Sequence, residues 1–244
     1  MSRLSAVDVR KALPRKGAAT RPAQPSGSLT ALVTERIREA IVDGRFALGE
    51  ALSELKLAAA LNVSRTPVRD ALTALQVQGL IDVRPQSGSF VFMPSEEDVA
   101  ELAEFRRVLE VTALRLCFAR RRDEALRAMR RAADAMEETR DADDRLGVAR
   151  ADTEFHQAIA ENSANEYLIA AYGLVSGRIA ALRTHTLMSA DTIRNRSLGE
   201  HRALIAAFAK GDLDRAETIL EQHVWRMRLR FHATRVRRRA GRTA

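Results

Sequence analysis

The run Val63-Ser64-Arg65-Thr66-Pro67-Val68-Arg69-Asp70-Ala71-Leu72 decides how the first part of the chain folds. Ser64 is a helix-capping residue type, and Pro67 is tolerated in a first turn, where its missing amide would have had no intrahelical partner. Arg65 and Arg69 are one turn apart and share a face. Working upstream, Asn62-Val63 makes a turn, and Ser53 caps a short helix reaching about Leu61. Before that, Leu29, Leu32, Val33, Ile37, Ala40 and Ile41 recur at helical spacing, which predicts a helix over 29–42 stopped by Gly44, with Gly49 turning the chain. Downstream, the helix opened by Ser64 ends at Gly79. Leu80-Ile81-Asp82-Val83-Arg84 and Ser89-Phe90-Val91-Phe92 then flank Pro85-Gln86-Ser87-Gly88, the pattern of a β-hairpin. Two helices, a tight turn, a third helix and a hairpin make a winged helix-turn-helix over residues 28–93.

Pro94 marks a boundary, and Ser95-Glu96-Glu97-Asp98 opens a new helix with an acid three residues after its cap. From there to about Thr234 only helical patterning is present. The spacing predicts six helices, over about 95–120, 123–139, 143–161, 165–187, 191–210 and 212–233. The expected fold class is mainly α: an N-terminal winged helix-turn-helix plus a C-terminal all-helical bundle of about six helices over 95–234.

The 244 residues are 46% hydrophobic, enough for two packed cores, and carry a net charge of +8. The charge is unevenly spread. Residues 1–27 have six basic residues and one acid, 28–93 have seven of each, 94–225 have 19 basic and 24 acidic, and 226–244 have eight arginines and no acid. The expected outer segments are a disordered basic arm at 1–27 and a basic tail at 235–244. They either attract polyanions without sequence preference or serve as solubilising extensions. Pro14, Pro22 and Pro25 disfavour an amphipathic transit helix. The single cysteine, Cys117, rules out an intrachain disulfide and is expected to be buried packing. No apolar run is long enough to span a bilayer and no secretory signal precedes the fold, so the expectation is a cytoplasmic protein without a membrane partner.

A recognition helix enters the major groove of double-stranded DNA by its N-terminal end. Arg65 and Arg69 stand there, each a bidentate donor suited to guanine O6 and N7. The hydroxyls of Ser64 and Thr66, beside the unpaired amides of the helix start, suit a phosphate. Gly88 lets the hairpin tip approach a groove wall. Against this stands the possibility that Arg65 and Arg69 merely pair with acids, since residues 28–93 carry no net charge.

The second half hides polar residues in apolar stripes. Leu146, Ala149, Asp152, His156 and Ile159 form one; Leu198, His201, Ile205 and Phe208 another; Ala216, Leu220, His223 and Met227 a third. A buried Asp152 without a partner would cost about 2–7 kcal/mol or more. Asp152, His156, His201 and His223 would satisfy one another through one divalent transition metal. Zinc comes first, with nickel, manganese or iron open, because ligand type alone does not select among them.

The order and spacing of Gly44, Gly49, Leu52, Leu57-Ala58, Val63 to Leu72, Leu75, Gly79-Leu80-Ile81, Gly88 and Val91 resemble the GntR family of transcription regulators. The second half, with Arg106 to Glu110, Asp152-Thr153-Glu154-Phe155-His156, Glu200-His201 and His223, resembles the FCD ligand-binding domain of the FadR subfamily, in its metal-binding branch. The resemblance implies that Arg65 and Arg69 read bases and phosphates, that Ser64 and Thr66 hold phosphate, that Gly88 is the wing-tip contact and that Lys56 supplies a further basic contact. It implies a small organic acid held by the metal with nearby arginines, for which Arg106 and Arg178 stand in inward stripes. Their alternative is a salt bridge, for Arg106 to Glu110. Six helices imply the shorter FCD form, without an acyl-chain tunnel. The expected function is a homodimeric, ligand-responsive repressor released from a palindromic operator by the acid. A metalloenzyme with an attached nucleic-acid module and a non-sensing architectural DNA binder are the alternatives.

Overall fold

The computed structural model describes residues 12–13, 28–188 and 191–240, the last six by their backbone alone. The expected basic arm therefore lies outside the described residues, apart from Ala12 and Leu13. Two compact units divide the chain between Met93 and Pro94.

In the first unit, α1 (Leu29–Val42) buries Val33, Ile37, Ala40 and Ile41. Leu29 and Leu32, expected on the same face, are exposed. β1 (Ala51–Leu52) is followed by α2 (Glu54–Leu61), capped by Ser53, whose hydroxyl accepts from the Lys56 amide at 3.5 Å. Asn62 turns the chain in the left-handed region at φ 58°, where an Asn side chain is tolerated. α3 (Arg65–Val77) buries Pro67, Val68, Ala71, Leu72 and Leu75. Ser64 occupies its N-cap position, but its side chain makes no cap hydrogen bond, a departure from the expected capping role. β2 (Ile81–Arg84) and β3 (Gly88–Val91) form the antiparallel wing. The sheet order is β1-β3-β2, with Ala51 opposite Phe90. β1 was not foreseen, because two residues are too short to show alternation.

The second unit holds α4 (Glu96–Arg120), α5 (Arg122–Asp141), α6 (Arg145–Asn162), α7 (Glu166–Leu187), α8 (Asp191–Lys210) and α9 (Leu213–Ala240). Ser95 and Asp98 form a reciprocal capping box at the start of α4. Asp144 and Asn165 cap α6 and α7 by accepting from Gly147 and Leu168 amides. The main core draws on all six helices, α7 through Leu168 alone, with Leu114, Met129, Phe155, Phe208 and Leu220 fully enclosed. Cys117 is buried there, its thiol donating to the Ile159 carbonyl at 3.0 Å. α9 runs on to Ala240, so the backbone of 235–240 is helical where a tail was expected. The arginines had masked a continuing helix because they interrupt the apolar stripe without weakening helix propensity.

Candidate functional site

The Asp152–His156 spacing puts both side chains on one face of α6, one turn apart. α8 brings His201 and α9 brings His223 to the same point. All four are buried, and one ligand-type atom from each lies within 4.8 Å of the others. His156 Nε2 lies 3.8 Å from Asp152 Oδ2, and His201 Nε2 lies 3.6 Å from Asp152 Oδ1.

Two outer carboxylates orient the rings. His156 Nδ1 sits 2.7 Å from Glu110 Oε2, and His223 Nδ1 sits 2.7 Å from Glu200 Oε2. A carboxylate only accepts, so each Nδ1 carries the proton and each Nε2 presents a lone pair. Burial lowers both imidazoles below the ordinary histidine range; for His156 the cationic Arg106 and Arg183 add to it, and for His223 the bond to Glu200 opposes it without reversing it. The rings are thus neutral, and their Nε2 atoms face each other at 3.1 Å. Two lone pairs at that distance repel rather than bond. His201 is stacked on Phe155, centroids 3.8 Å apart and planes 7° apart, and neither of its ring nitrogens has a hydrogen-bond partner. Burial takes its pKa down to about 3.

Orphaned imidazole nitrogens, two opposed lone pairs and one carboxylate are a donor set that fits a divalent metal. The 3.1 Å between the Nε2 atoms is a separation open to two nitrogens that would each stand about 2.0–2.1 Å from one shared ion. Glu110 and Glu200 are the outer partners that such ligands require.

Asp152 has protein partners besides the three histidines expected from the sequence. Arg183 of α7 pairs with it through Nε, and Ser197 Oγ donates to Oδ1 at 2.7 Å. Burial is the largest influence and raises the Asp152 pKa; Arg183, followed by His201, His156 and His223, together outweigh it and hold the carboxyl well below its usual range. Arg183 also donates to Thr153 Oγ1 at 2.9 Å, while its buried Nη2 has no hydrogen-bond partner. Arg106 is buried and paired with Glu110, Nε to Oε1 at 2.5 Å, so its salt-bridge alternative is the one realised. Arg178, expected in an inward stripe, is half-buried with a buried Nε that has no hydrogen-bond partner, although Leu174 of that stripe is 72% exposed. The arginine that reaches Asp152 is Arg183. His232 is exposed near Glu96, and His185 sits in the last turn of α7, as expected of surface or helix-end histidines.

In the first unit, Ser64, Arg65, Thr66 and Arg69 are all exposed at the start of α3. Gly88 has φ +104° at the wing, and a Cβ there would meet nothing within 4 Å. Lys56 is half-buried on α2. Arg65 and Arg69 both pair with Glu54, at 3.1 and 3.3 Å.

A family model described as bacterial regulatory proteins, gntR family, matches residues 29–91, and one described as FCD domain matches 101–226. A probable D-xylose utilization operon transcriptional repressor of Paenarthrobacter nicotinovorans is 31% identical over 196 residues, covering 79% of this chain and 85% of that protein. The HTH-type transcriptional regulator LutR of Bacillus subtilis (strain 168) is 31% identical over 206 residues, covering 75% of this chain and 92% of that protein. A crystal structure of a GntR transcriptional regulator from Rhodococcus sp. RHA1 superposes with a TM-score of 0.74 at 28% identity, covering 84% of this chain and 97% of that one. The chain belongs to the GntR family of bacterial regulatory proteins and carries an FCD domain behind its winged helix, which makes it a transcription regulator and not an enzyme.

Proposed function

We propose that this regulator is a homodimeric repressor that leaves a palindromic operator when a small organic acid binds at a metal held by Asp152, His156, His201 and His223. The observation that carries this reading is the pair of opposed Nε2 lone pairs on His156 and His223 beside the unpartnered ring of His201. FCD domains bind metal, and this buried cluster is able to hold one. A borderline ion such as zinc suits three imidazoles and a carboxylate, with nickel, manganese and iron as rivals. Bound there with a coordination position left open, the metal would supply a Lewis acid for a carboxylate. Arg183, with its unpartnered Nη2, supplies a charge-assisted donor beside it. Tyr172, whose hydroxyl is pushed up to about 12 by burial and by Glu110, stays a neutral donor near that arginine. Arg106 acts one step back, by fixing Glu110.

In the first unit, Arg65 and Arg69 read base edges, Ser64 and Thr66 hold phosphate, and Gly88 and Lys56 contact the flanking backbone. Phe105 and Val108 on α4 and Leu174 on α7 are exposed apolar side chains that a second copy would cover. A two-fold dimer matches a palindromic site, and an acid that prefers one spacing of the two recognition helices shifts the population away from DNA. An architectural DNA binder without a sensor leaves the His/Asp cluster without a use. No helix among the described residues is long and apolar enough to cross a membrane.

The test is elemental analysis of wild type and of a His201→Ala, His223→Ala double variant. About one transition metal per chain, lost in the variant, supports the site and justifies a screen of organic acids by operator release. No metal in wild type after reloading overturns it.

A further inference from the structure

We infer that Glu54 is a specificity-determining residue of the DNA-reading surface: it orients Arg65 and Arg69 for base edges and weakens their hold on phosphate of arbitrary sequence. The inference rests on the reading of Arg65 and Arg69 as DNA contacts.

Glu54 is the first residue of α2, and Arg65 opens α3 across the turn at Asn62. The fold thereby sets one carboxylate against two guanidinium groups from the next helix. Glu54 Oε2 accepts from Arg65 Nη2 at 3.1 Å and from Arg69 Nη2 at 3.3 Å, and Oε1 accepts from Arg69 Nε at 3.4 Å. Both arginine side chains are more than half exposed, at 60% and 63%, whereas Glu54 is 26% exposed. The carboxylate is the more enclosed partner and the arginines are the more exposed ones. Arg69 first, then Arg65, hold the Glu54 pKa below its usual range, so the charge persists at neutral pH.

As a stabilising contact this trio is worth little, since exposed ion pairs contribute about 0–1 kcal/mol. Its effect on recognition is larger because the two targets of an arginine make different demands. A phosphate accepts from a guanidinium in almost any orientation, and its attraction scales with net positive charge. Guanine O6 and N7 accept two parallel N–H bonds, which requires a fixed plane. A guanidinium has five N–H donors. Arg65 spends one on Glu54 and Arg69 spends two, so both keep donors for a base while their planes are restrained. The same carboxylate cancels one of the two positive charges that face the DNA backbone. Glu54 thus favours base readout and disfavours indiscriminate binding through one set of contacts.

The test uses the full chain as wild type, Glu54→Gln and Glu54→Ala, with two probes. One is a 30-base-pair duplex of arbitrary sequence. The other is the duplex that wild type itself enriches from a randomised library. Both variants are expected to bind the arbitrary duplex at least about threefold more tightly, with a log–log salt dependence steeper by about 1 per winged helix. The ratio of enriched-duplex to arbitrary-duplex affinity is expected to fall about tenfold. Glu54→Gln, which keeps a side-chain acceptor but not the charge, retains more of that ratio than Glu54→Ala. Equal losses on both probes, or no change on either, overturn the inference. Thermal unfolding of each variant identifies a loss that comes from misfolding. An Arg65→Ala, Arg69→Ala variant that binds both probes as wild type does overturns the underlying reading of those arginines instead.

Discussion

Replacing His201 by phenylalanine separates two demands that the cluster places on one residue. His201 is buried against Phe155 and neither ring nitrogen has a hydrogen-bond partner. A buried polar group left unsatisfied costs about 1–3 kcal/mol. Its Nε2 keeps some attraction to Asp152 at 3.6 Å, so the ring is better counted as one unsatisfied group than two. Phenylalanine preserves the stack on Phe155 and removes the penalty. Its larger ring extends toward His223 and His156, whose centroids are 4.7 and 5.2 Å away, and some crowding offsets the gain. The expected net effect is about 1–2 kcal/mol of added stability without metal, or a melting point higher by about 2–8 °C for a domain of this size. The variant should also lose bound metal. The assay is differential scanning calorimetry of both proteins after chelation, with elemental analysis before it. A chelated variant that melts below wild type, or one that keeps a full complement of metal, would refute the reasoning.

Three further expectations concern the same domain. Glu110→Gln keeps a side-chain acceptor but removes the negative charge that strengthens the bond from His156 Nδ1 and that balances buried Arg106. Metal affinity should fall about 10–100-fold in a competition titration, and apoprotein stability by about 3–5 kcal/mol in urea unfolding, because breaking a buried pair strands a charge. The pH dependence of the apoprotein follows from His201, whose folded pKa of about 3 lies below its unfolded value. The unfolded chain binds the proton first. Stability is therefore fully present above about pH 6.5 and declines as pH falls from there toward 3, by up to about 1.4 kcal/mol per pH unit for this one group. His201→Phe should flatten that slope, and an unchanged slope in denaturant melts across this window argues against a buried neutral His201. Gly147→Ala should lower stability by about 1 kcal/mol or more, measured by thermal melting. The new Cβ would collide with Asp144 Oδ2 and displace the carboxylate that caps α6.

The elements that were legible in the sequence are those whose burial has a direction. α6 exposes one side, so the i, i+4 placement of Asp152 and His156 among Ala149 and Ile159 read as inward, and both are buried. His201 and His223 were legible for the same reason. α7 behaves differently. Residues 179 to 184 are buried without interruption, so no stripe marks one face. That is why Arg183, which pairs with Asp152, carried no signal in the spacing. Glu200 was visible only as a mark of a family resemblance, and Glu110 only as that and as a salt-bridge partner for Arg106, neither as the orienter of a histidine ring. Their work depends on a neighbour 46 and 23 residues away, and periodicity within one helix does not register such distances. Glu54 escaped for a similar reason: an acid in a first helical turn is ordinary, and its meaning comes from the arginines that the turn folds onto it.

Cys117 is the only cysteine in the chain, buried in the core, with its thiol pushed up to about 12 by desolvation. Thiolate chemistry at neutral pH is closed to it. The wild-type protein is therefore a silent background for labelling: maleimides and spin labels should leave the folded chain unmodified. A single Val77→Cys change would place one reactive thiol on the exposed C-terminal end of α3, away from Arg65 and Arg69. In a dimer, pulsed electron spin resonance between two such labels would report the separation of the recognition helices as a distance, before and after an acid is added.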